Sequence, residues 1–377
     1  MSNRFLFMFA TNIQRWGYQH VLKPFFFRCD PEWTHDQVCE VGERFGRSRL
    51  ARGMAQKLCA FQDDSLHQEI LGIHFSNPIG LTEGFDKNAR LTQILPSIGF
   101  GYEIVGSVTA QACKGNAKPR LWRLPKSKGL VVYYGLMNDG GEAIRSRLST
   151  KTFAMPIGIS IAKTNCPGTV ETQSGIEDYV QGFTTMRDTG DFFVINISCP
   201  NAFGGEPFSD PKRLEALLSR LDGIETSKPI FIKSAVDLTI EELDALIAVM
   251  DRHRVHGIIL SNLTKQYGRR EIVQDEIQPH MKGGISGRPT YEASNTLIAH
   301  TYLEAGDRYV IIGVGGVFTA EDAYEKIRQG ASLVQLATGM IFEGPQLIGE
   351  LNRGLAQLLH RDGFNSISEV VGSAHRS

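Results

Sequence analysis

The chain has 377 residues, of which 42% are hydrophobic and 21% charged, and its formal net charge is −1. This balance suits a folded globular protein and excludes the basic surface expected of a nucleic-acid binder. The length exceeds the roughly 250 residues of a single (β/α)8 barrel and leaves room for a short extra domain. The six cysteines, Cys29, Cys39, Cys59, Cys113, Cys166 and Cys199, form no CxxC pair. They read as thiols of a reduced, intracellular protein, with no metal site. No apolar run reaches the roughly 18 residues of a membrane-spanning helix.

Met1–Arg28 combines Phe5, Leu6, Phe7, Met8, Phe9, Trp16, Phe25, Phe26 and Phe27 with Arg4, Arg15, Lys23 and Arg28, and no acid precedes Asp30. Two readings fit that composition: an amphipathic segment resting on a membrane, or a terminal helix docked on the protein's own core. Asp30-Pro31-Glu32 reads as a helix start, with proline in the first turn and acids at the positive end of the dipole. His35–Leu58 then carries apolar residues at helical spacing: Val38, Val41, Phe45, Leu50, Met54 and Leu58. Residues 1–65 are therefore expected to form a small helical domain, able to cover one end of a barrel built by residues 66–377.

In that second part, eight short apolar runs alternate with amphipathic stretches. The strand candidates are Ile79–Leu81, Glu103–Thr109, Ile157–Ala162, Phe192–Ser198, Ile230–Ser234, Gly257–Ser261, Tyr309–Val314 and Leu333–Thr338. Their near-continuous apolar character suits strands buried on both faces. Leu214–Leu221, Ile240–Arg252, Asn295–Glu304, Ala320–Gln329 and Pro345–Leu358 read as helices, with Thr239 and Glu242 forming a capping box. Eight βα units in a row point to an α/β (β/α)8 TIM barrel. Two long connections, Gln111–Asp139 and Pro200–Lys212, follow the second and fourth strands, where a barrel keeps its chemistry.

Polar residues gather at the strand ends on this rim: Lys87, Ser107, Thr109, Ser160, Lys163, Asn196, Ser198, Cys199, Asn201, Lys233, Ser261, Asn262 and Thr338. Lys233, between Phe231-Ile232 and the strand end, points inward and needs an anionic partner, for which an anionic cofactor is attractive. Gly313-Val-Gly-Gly316, Ser286-Gly287 and Thr338-Gly339 suit a phosphate, because a backbone without side chains lets N–H groups approach the oxygens. Cys199 lies in Asn196-Ile-Ser-Cys-Pro-Asn201. A thiol there is either a buried structural group or a proton acceptor flanked by asparagines suited to a planar polar ligand.

Ile79-Gly-Leu-Thr-Glu-Gly-Phe-Asp-Lys87, Gly106-Ser-Val-Thr109, Gly115–Pro125, Asn196–Asn201, Gly283–Gly287 and Gly330–Gln335 together resemble dihydroorotate dehydrogenases, in order across nearly the whole chain. Asp30-Pro-Glu-Trp-Thr-His35 resembles the helical extension of the membrane-associated, quinone-reducing class 2 enzymes. The resemblance implies FMN against Glu83, Gly84, Ser107, Asn196, Lys233, Ser261, Gly287, Gly316 and Thr338. It implies dihydroorotate, or its product orotate, against Lys87, Tyr134, Gly135, Leu136, Asn196, Asn201 and Asn262.

In that chemistry, part of pyrimidine biosynthesis, Cys199 would take a proton from C5 while hydride leaves C6 for the flavin. Lys233 would stabilise the reduced ring, and a quinone would reoxidise it. Peripheral membrane contact through the N-terminal segment follows, on the cytoplasmic side if the source is bacterial. Several positions depart from the family pattern. Cys199 stands where class 2 enzymes have serine, Val132 and Ser160 where asparagines are usual, Glu83 for a small residue and Ala337 for a tyrosine. These departures leave open a related flavin dehydrogenase with another substrate or a soluble acceptor, and a non-catalytic flavin-binding homologue.

Overall fold

A computed structural model of the protein describes residues 3–205 and 207–376, with side chains from residue 10 onward. Met1 and the side chains of Phe5–Phe9, included above in the interfacial segment, lie outside the described residues.

Eight parallel strands close on themselves in chain order. They are β1 (Ile79–Leu81), β2 (Tyr102–Val108), β3 (Ile157–Ile161), β4 (Phe192–Asn196), β5 (Ile230–Lys233), β6 (Gly257–Leu260), β7 (Val310–Val314) and β8 (Leu333–Leu336). Val334 of β8 pairs with Ile79 of β1, which completes the ring. Each strand coincides with an expected run. Several of those runs extend one or two residues too far, because at the carboxyl rim the chain leaves the ladder to form the loops of the site.

Side chains alternate between two apolar layers, as the period of a strand requires. Tyr102, Ile104, Phe192, Val194, Phe231, Ile259 and Ile312 fill the barrel. Val105, Ile159, Phe193, Ile195, Ile232 and Ile258 face the surrounding helices. Both faces being buried is why the strands read as unbroken apolar runs. The Phe192 ring lies 6.4 Å from Tyr102 and 5.4 Å from Phe231, centroid to centroid. Tyr102 has room because its neighbour on β1 is Gly80, where a Cβ would collide with the phenol ring. The amino end is stoppered by a hairpin, Gln68–Ile70 with Ile73–Phe75, whose Phe75 ring sits 5.4 Å from Tyr102. These two strands, Gln-Glu-Ile and Ile-His-Phe, mix polar and apolar residues and form no apolar run, so the sequence does not mark them.

Helices Pro211–Asp222, Ile240–Met250, Tyr291–Ala305, Ala320–Arg328 and Leu347–Arg361 pack outside the barrel. The capping box forms: Glu242 N–H donates to Thr239 Oγ1 and Thr239 N–H to Glu242 Oε2. The connection after β2 contains a hairpin, Leu121–Leu124 with Gly129–Val132. Gly284–Gly287, from the β6–β7 connection, pairs with it to make a three-stranded sheet.

The N-terminal part holds α1 (Asn3–Gly17), a π-helical turn Tyr18–Leu22, a short helix Lys23–Phe26, α2 (Pro31–Arg47) and α3 (Arg49–Cys59). Asp30 caps α2 by accepting from the Trp33 N–H at 2.8 Å. The single helical period over His35–Leu58 is two helices, broken at Ser48 (φ −96°, ψ 118°), whose hydroxyl caps α3. Its apolar stripe faces outward rather than onto the barrel: Val38, Val41, Phe45, Leu50, Met54 and Leu58 are all exposed, Leu50 at 83%. The segment is fastened instead by a buried ion pair, Glu32 with Arg120, at 2.7 Å. Burial opposes the Glu32 charge, but hydrogen bonds from Arg120 and Lys118 outweigh it and hold the carboxyl below its usual range.

Phe192→Ala would open a cavity in the middle of the barrel's aromatic layer. It should cost about 3–5 kcal/mol, read as a lower denaturant midpoint at unchanged slope.

Candidate functional site

The carboxyl ends of the strands surround a cavity of about 220 Å³. All the site residues inferred from the sequence line it: Glu83, Gly84 and Lys87 after β1, Ser107 on β2, Tyr134, Gly135 and Leu136 after the hairpin, and Asn196, Cys199 and Asn201 at β4. Lys233 of β5, Ser261 and Asn262 after β6, Gly287 on the small sheet, Gly316 after β7 and Thr338 after β8 complete the wall. Ser160 stands behind that wall, fully buried and hydrogen-bonded to Ser107 Oγ at 2.8 Å. Asn196 donates to the same Ser107 oxygen at 2.8 Å, so its amide is fixed by its neighbours.

Lys233 is inside, as its flanking residues required, but its anionic partner is a protein group. Its Nζ lies 2.9 Å from Glu83 Oε2 and 3.2 Å from Thr82 Oγ1. β1 and β5 are four strands apart in an eight-strand ring, so this pair spans the barrel mouth.

The other lysine, Lys87, is held 4.0 Å above the Tyr134 ring and 3.1 Å from His35 Nε2. Burial pushes its pKa down to about 8, against the opposing pull of Cys39, Asp36 and Asp86. Burial, then the Lys87 charge, drives the His35 imidazole well below its ordinary value. His35 comes from α2 of the N-terminal helices and lines the cavity. The sequence reading missed it, since nothing in the local pattern shows that a residue of the first helices turns toward the barrel.

The loop after β4 is tied down at several points. Asn201 donates to the Val132 carbonyl at 2.8 Å, Asn116 to the Asn201 carbonyl at 2.9 Å and Lys163 to the Phe203 carbonyl at 2.6 Å. Cys199 is half-buried and in no disulfide. Asn262 is oriented by donation to the Ser198 carbonyl at 2.7 Å. Beside Phe27, at the end of the short helix, the wall turns apolar. Leu121, Leu130, Val132 and Ile341 line it and pack among Phe27, Phe318 and Phe342.

The donor set fits a flavin nucleotide. Ser261 Oγ and Glu83 Oε1 are buried in this wall without a hydrogen-bond partner. Buried polar atoms of that kind call for a ligand or water. Gly84 has a positive φ of 94°, and no heavy atom lies within 4 Å of where its Cβ would stand, so a flat ring can approach the turn. Gly315-Gly316 and Thr338-Gly339 follow β7 and β8, the usual phosphate position of a barrel. Among the described residues no group of three or more His, Cys, Asp or Glu could hold a metal.

A closed barrel with such a cavity at its carboxyl rim defines an enzyme of the (β/α)8 class built to hold a cofactor beside a small polar substrate. A family model described as dihydroorotate dehydrogenase matches residues 65–359. The dihydroorotate dehydrogenase (quinone) of Trichodesmium erythraeum is 35% identical over 380 residues, covering 95% of this chain and 99% of that protein. The protein of the same description from Haloarcula marismortui is 37% identical over 353 residues, covering 94% and 98%. The crystal structure of DHODH from Eimeria tenella in complex with ferulenol superposes with a TM-score of 0.81 at 28% identity, over 92% of this chain and 96% of that one. The chain belongs to the dihydroorotate dehydrogenase family, which is flavin-dependent in general.

The depressed Lys87 pKa gives a stability signature. Between about pH 8 and 10.5 the unfolded chain still holds a proton at Lys87 that the folded protein has lost, so stability rises with pH across this window. Lys87→Met should remove that increment, measurable as a smaller gain in unfolding free energy between pH 8 and 10 than in the wild type.

Proposed function

We propose that the protein oxidises dihydroorotate to orotate with bound FMN and passes the electrons to a quinone. The observation that carries this reading is the convergence of Lys233, the glycine turns, three asparagines and Cys199 on one cavity, in a chain whose relatives are described as quinone-dependent dihydroorotate dehydrogenases.

FMN, when bound, supplies the hydride acceptor. Ser261 Oγ, the Gly84 turn and Lys233 are the groups available to its ring, and the glycines after β7 and β8 to its phosphate. Asn196, Asn201 and Asn262 present amides that can orient a pyrimidine ring, and Lys87 a cation for its carboxylate. Cys199 takes the C5 proton, a task for which a thiol is better suited than a serine hydroxyl. The tied loop after β4 holds the base in the cavity wall.

The apolar wall at Leu121, Leu130, Val132 and Ile341 favours a hydrophobic acceptor, and it lies beneath the N-terminal helices. Those helices expose Trp16, Val21, Leu22, Phe25, Val41, Phe45, Leu50 and Met54. No helix among the described residues is long and apolar enough to cross a membrane. Exposed apolar side chains on amphipathic helices suit contact with a bilayer surface, where a quinone would be met.

The purified protein should be yellow with FMN, and anaerobic dihydroorotate should bleach it. Colour that persists with dihydroorotate would remove the substrate assignment. Cys199→Ala should keep FMN and bind orotate yet reduce its flavin roughly 10²–10⁴-fold more slowly in stopped flow. Wild-type reduction kinetics in that variant would make Cys199 a structural thiol. Replacing Val41, Phe45, Leu50 and Met54 together by glutamine should free the protein from lipid vesicles while dihydroorotate-dependent dye reduction stays within a few-fold of wild type. Cosedimentation with vesicles at the wild-type level would place the membrane contact elsewhere.

A further inference from the structure

The turn after β1 carries a carboxylate into the cofactor cavity, and it is over-determined in position. Gly84 N–H donates to the Gly106 carbonyl at 2.7 Å, Gly106 N–H to the Asp86 carbonyl at 3.1 Å and Thr82 N–H to the Leu336 carbonyl at 3.4 Å. The turn is thus pinned to β2 and β8 on either side. Glu83 in it is buried, and its Oε2 takes both the Lys233 ammonium at 2.9 Å and the Thr82 hydroxyl at 3.0 Å. Thr82 Oγ1 in turn accepts from Lys233 at 3.2 Å. Oε1 is buried against the cavity with no partner. An ammonium has three donors. Two of those of Lys233 are directed at protein oxygens, which leaves one for a ligand.

This arrangement bears on a redox cofactor through charge alone. Reduction of a flavin by hydride adds negative charge to its ring system, and a fixed cation beside it favours the reduced form. A fixed anion disfavours it. In a buried site the two are screened far less than in water. Here the cation does not act alone, because a full carboxylate is locked against it.

We propose that Glu83 sets the reduction potential of the bound flavin. Its carboxylate offsets the charge of Lys233 and keeps the flavin harder to reduce than Lys233 alone would make it. The electrons are then handed on more readily. The inference rests on the flavin-binding part of the function proposed above.

The test is the two-electron midpoint potential of the FMN-loaded protein, measured by equilibration with reference dyes during slow reduction. Glu83→Gln and Glu83→Ala should each shift the reduction equilibrium at least tenfold toward the reduced flavin, a rise of 29.6 mV or more. Glu83→Asp, which keeps the charge, should stay within tenfold of wild type. Potentials of the Gln and Ala variants within tenfold of wild type, or lower than it, overturn the proposal. So does an Asp variant displaced as far as Gln, since position rather than charge would then be at work. Flavin content is read from the same spectra before reduction. Wild-type protein that binds no FMN ends both the functional reading and this inference, whereas bound FMN with unmoved potentials ends this inference alone.

Discussion

A lysine ammonium in a barrel lined by phenylalanine and isoleucine must be neutralised, and much of the site is arranged around that need. An unpaired buried charge costs several kcal/mol even after the surroundings relax. Lys233 meets the requirement by reaching across the mouth to Glu83 on the opposite strand end. That reach holds the β1 turn in place, and the turn carries Gly84 and leads to Lys87. The two cations are then held differently: Lys233 by a carboxylate across the mouth, Lys87 by an aromatic face and an imidazole. The buried Asp86 and Glu32 carboxylates act on Lys87 through charge, while Tyr134 and His35 supply its ring and imidazole contacts.

Much of this was legible in the sequence, and for identifiable reasons. The barrel strands are buried on both faces, so each one announces itself as a short apolar run between glycine and polar breaks. Polar residues at their carboxyl ends have one rim to share, so Asn196, Lys233, Ser261, Asn262 and Thr338 could be gathered into one place from order alone. Thr239 and Glu242 signalled a helix start that forms by both expected hydrogen bonds.

What escaped was whatever depends on partners distant in the chain. His35 and the anion beside Lys233 each lie well over a hundred residues from much of the cavity they enter. The floor hairpin and the third strand of the small sheet are too short to carry a period. The stripe over His35–Leu58 was read correctly as helical and amphipathic, yet periodicity reports only that a face is apolar and not what covers it. Here the answer is outward exposure on two helices separated at Ser48, where one extended residue and its own hydroxyl cap were enough to split the run.

The link between the helical segment and the barrel has a consequence for how the chain can vary. Glu32 and Arg120 are 88 residues apart in sequence and both nearly sealed from water. Arg120 also donates to the Lys114 and Asn116 carbonyls, so it organises the loop before the hairpin as well. Loss of Glu32 would leave the buried Arg120 guanidinium without its carboxylate, at about 3–5 kcal/mol, a large share of the stability of any domain, and loss of Arg120 would leave Glu32 with Lys118 alone. Replacement of both together by apolar groups carries no such penalty. The two positions are therefore expected to drift in step through descent: single changes are filtered out, and only paired exchanges survive.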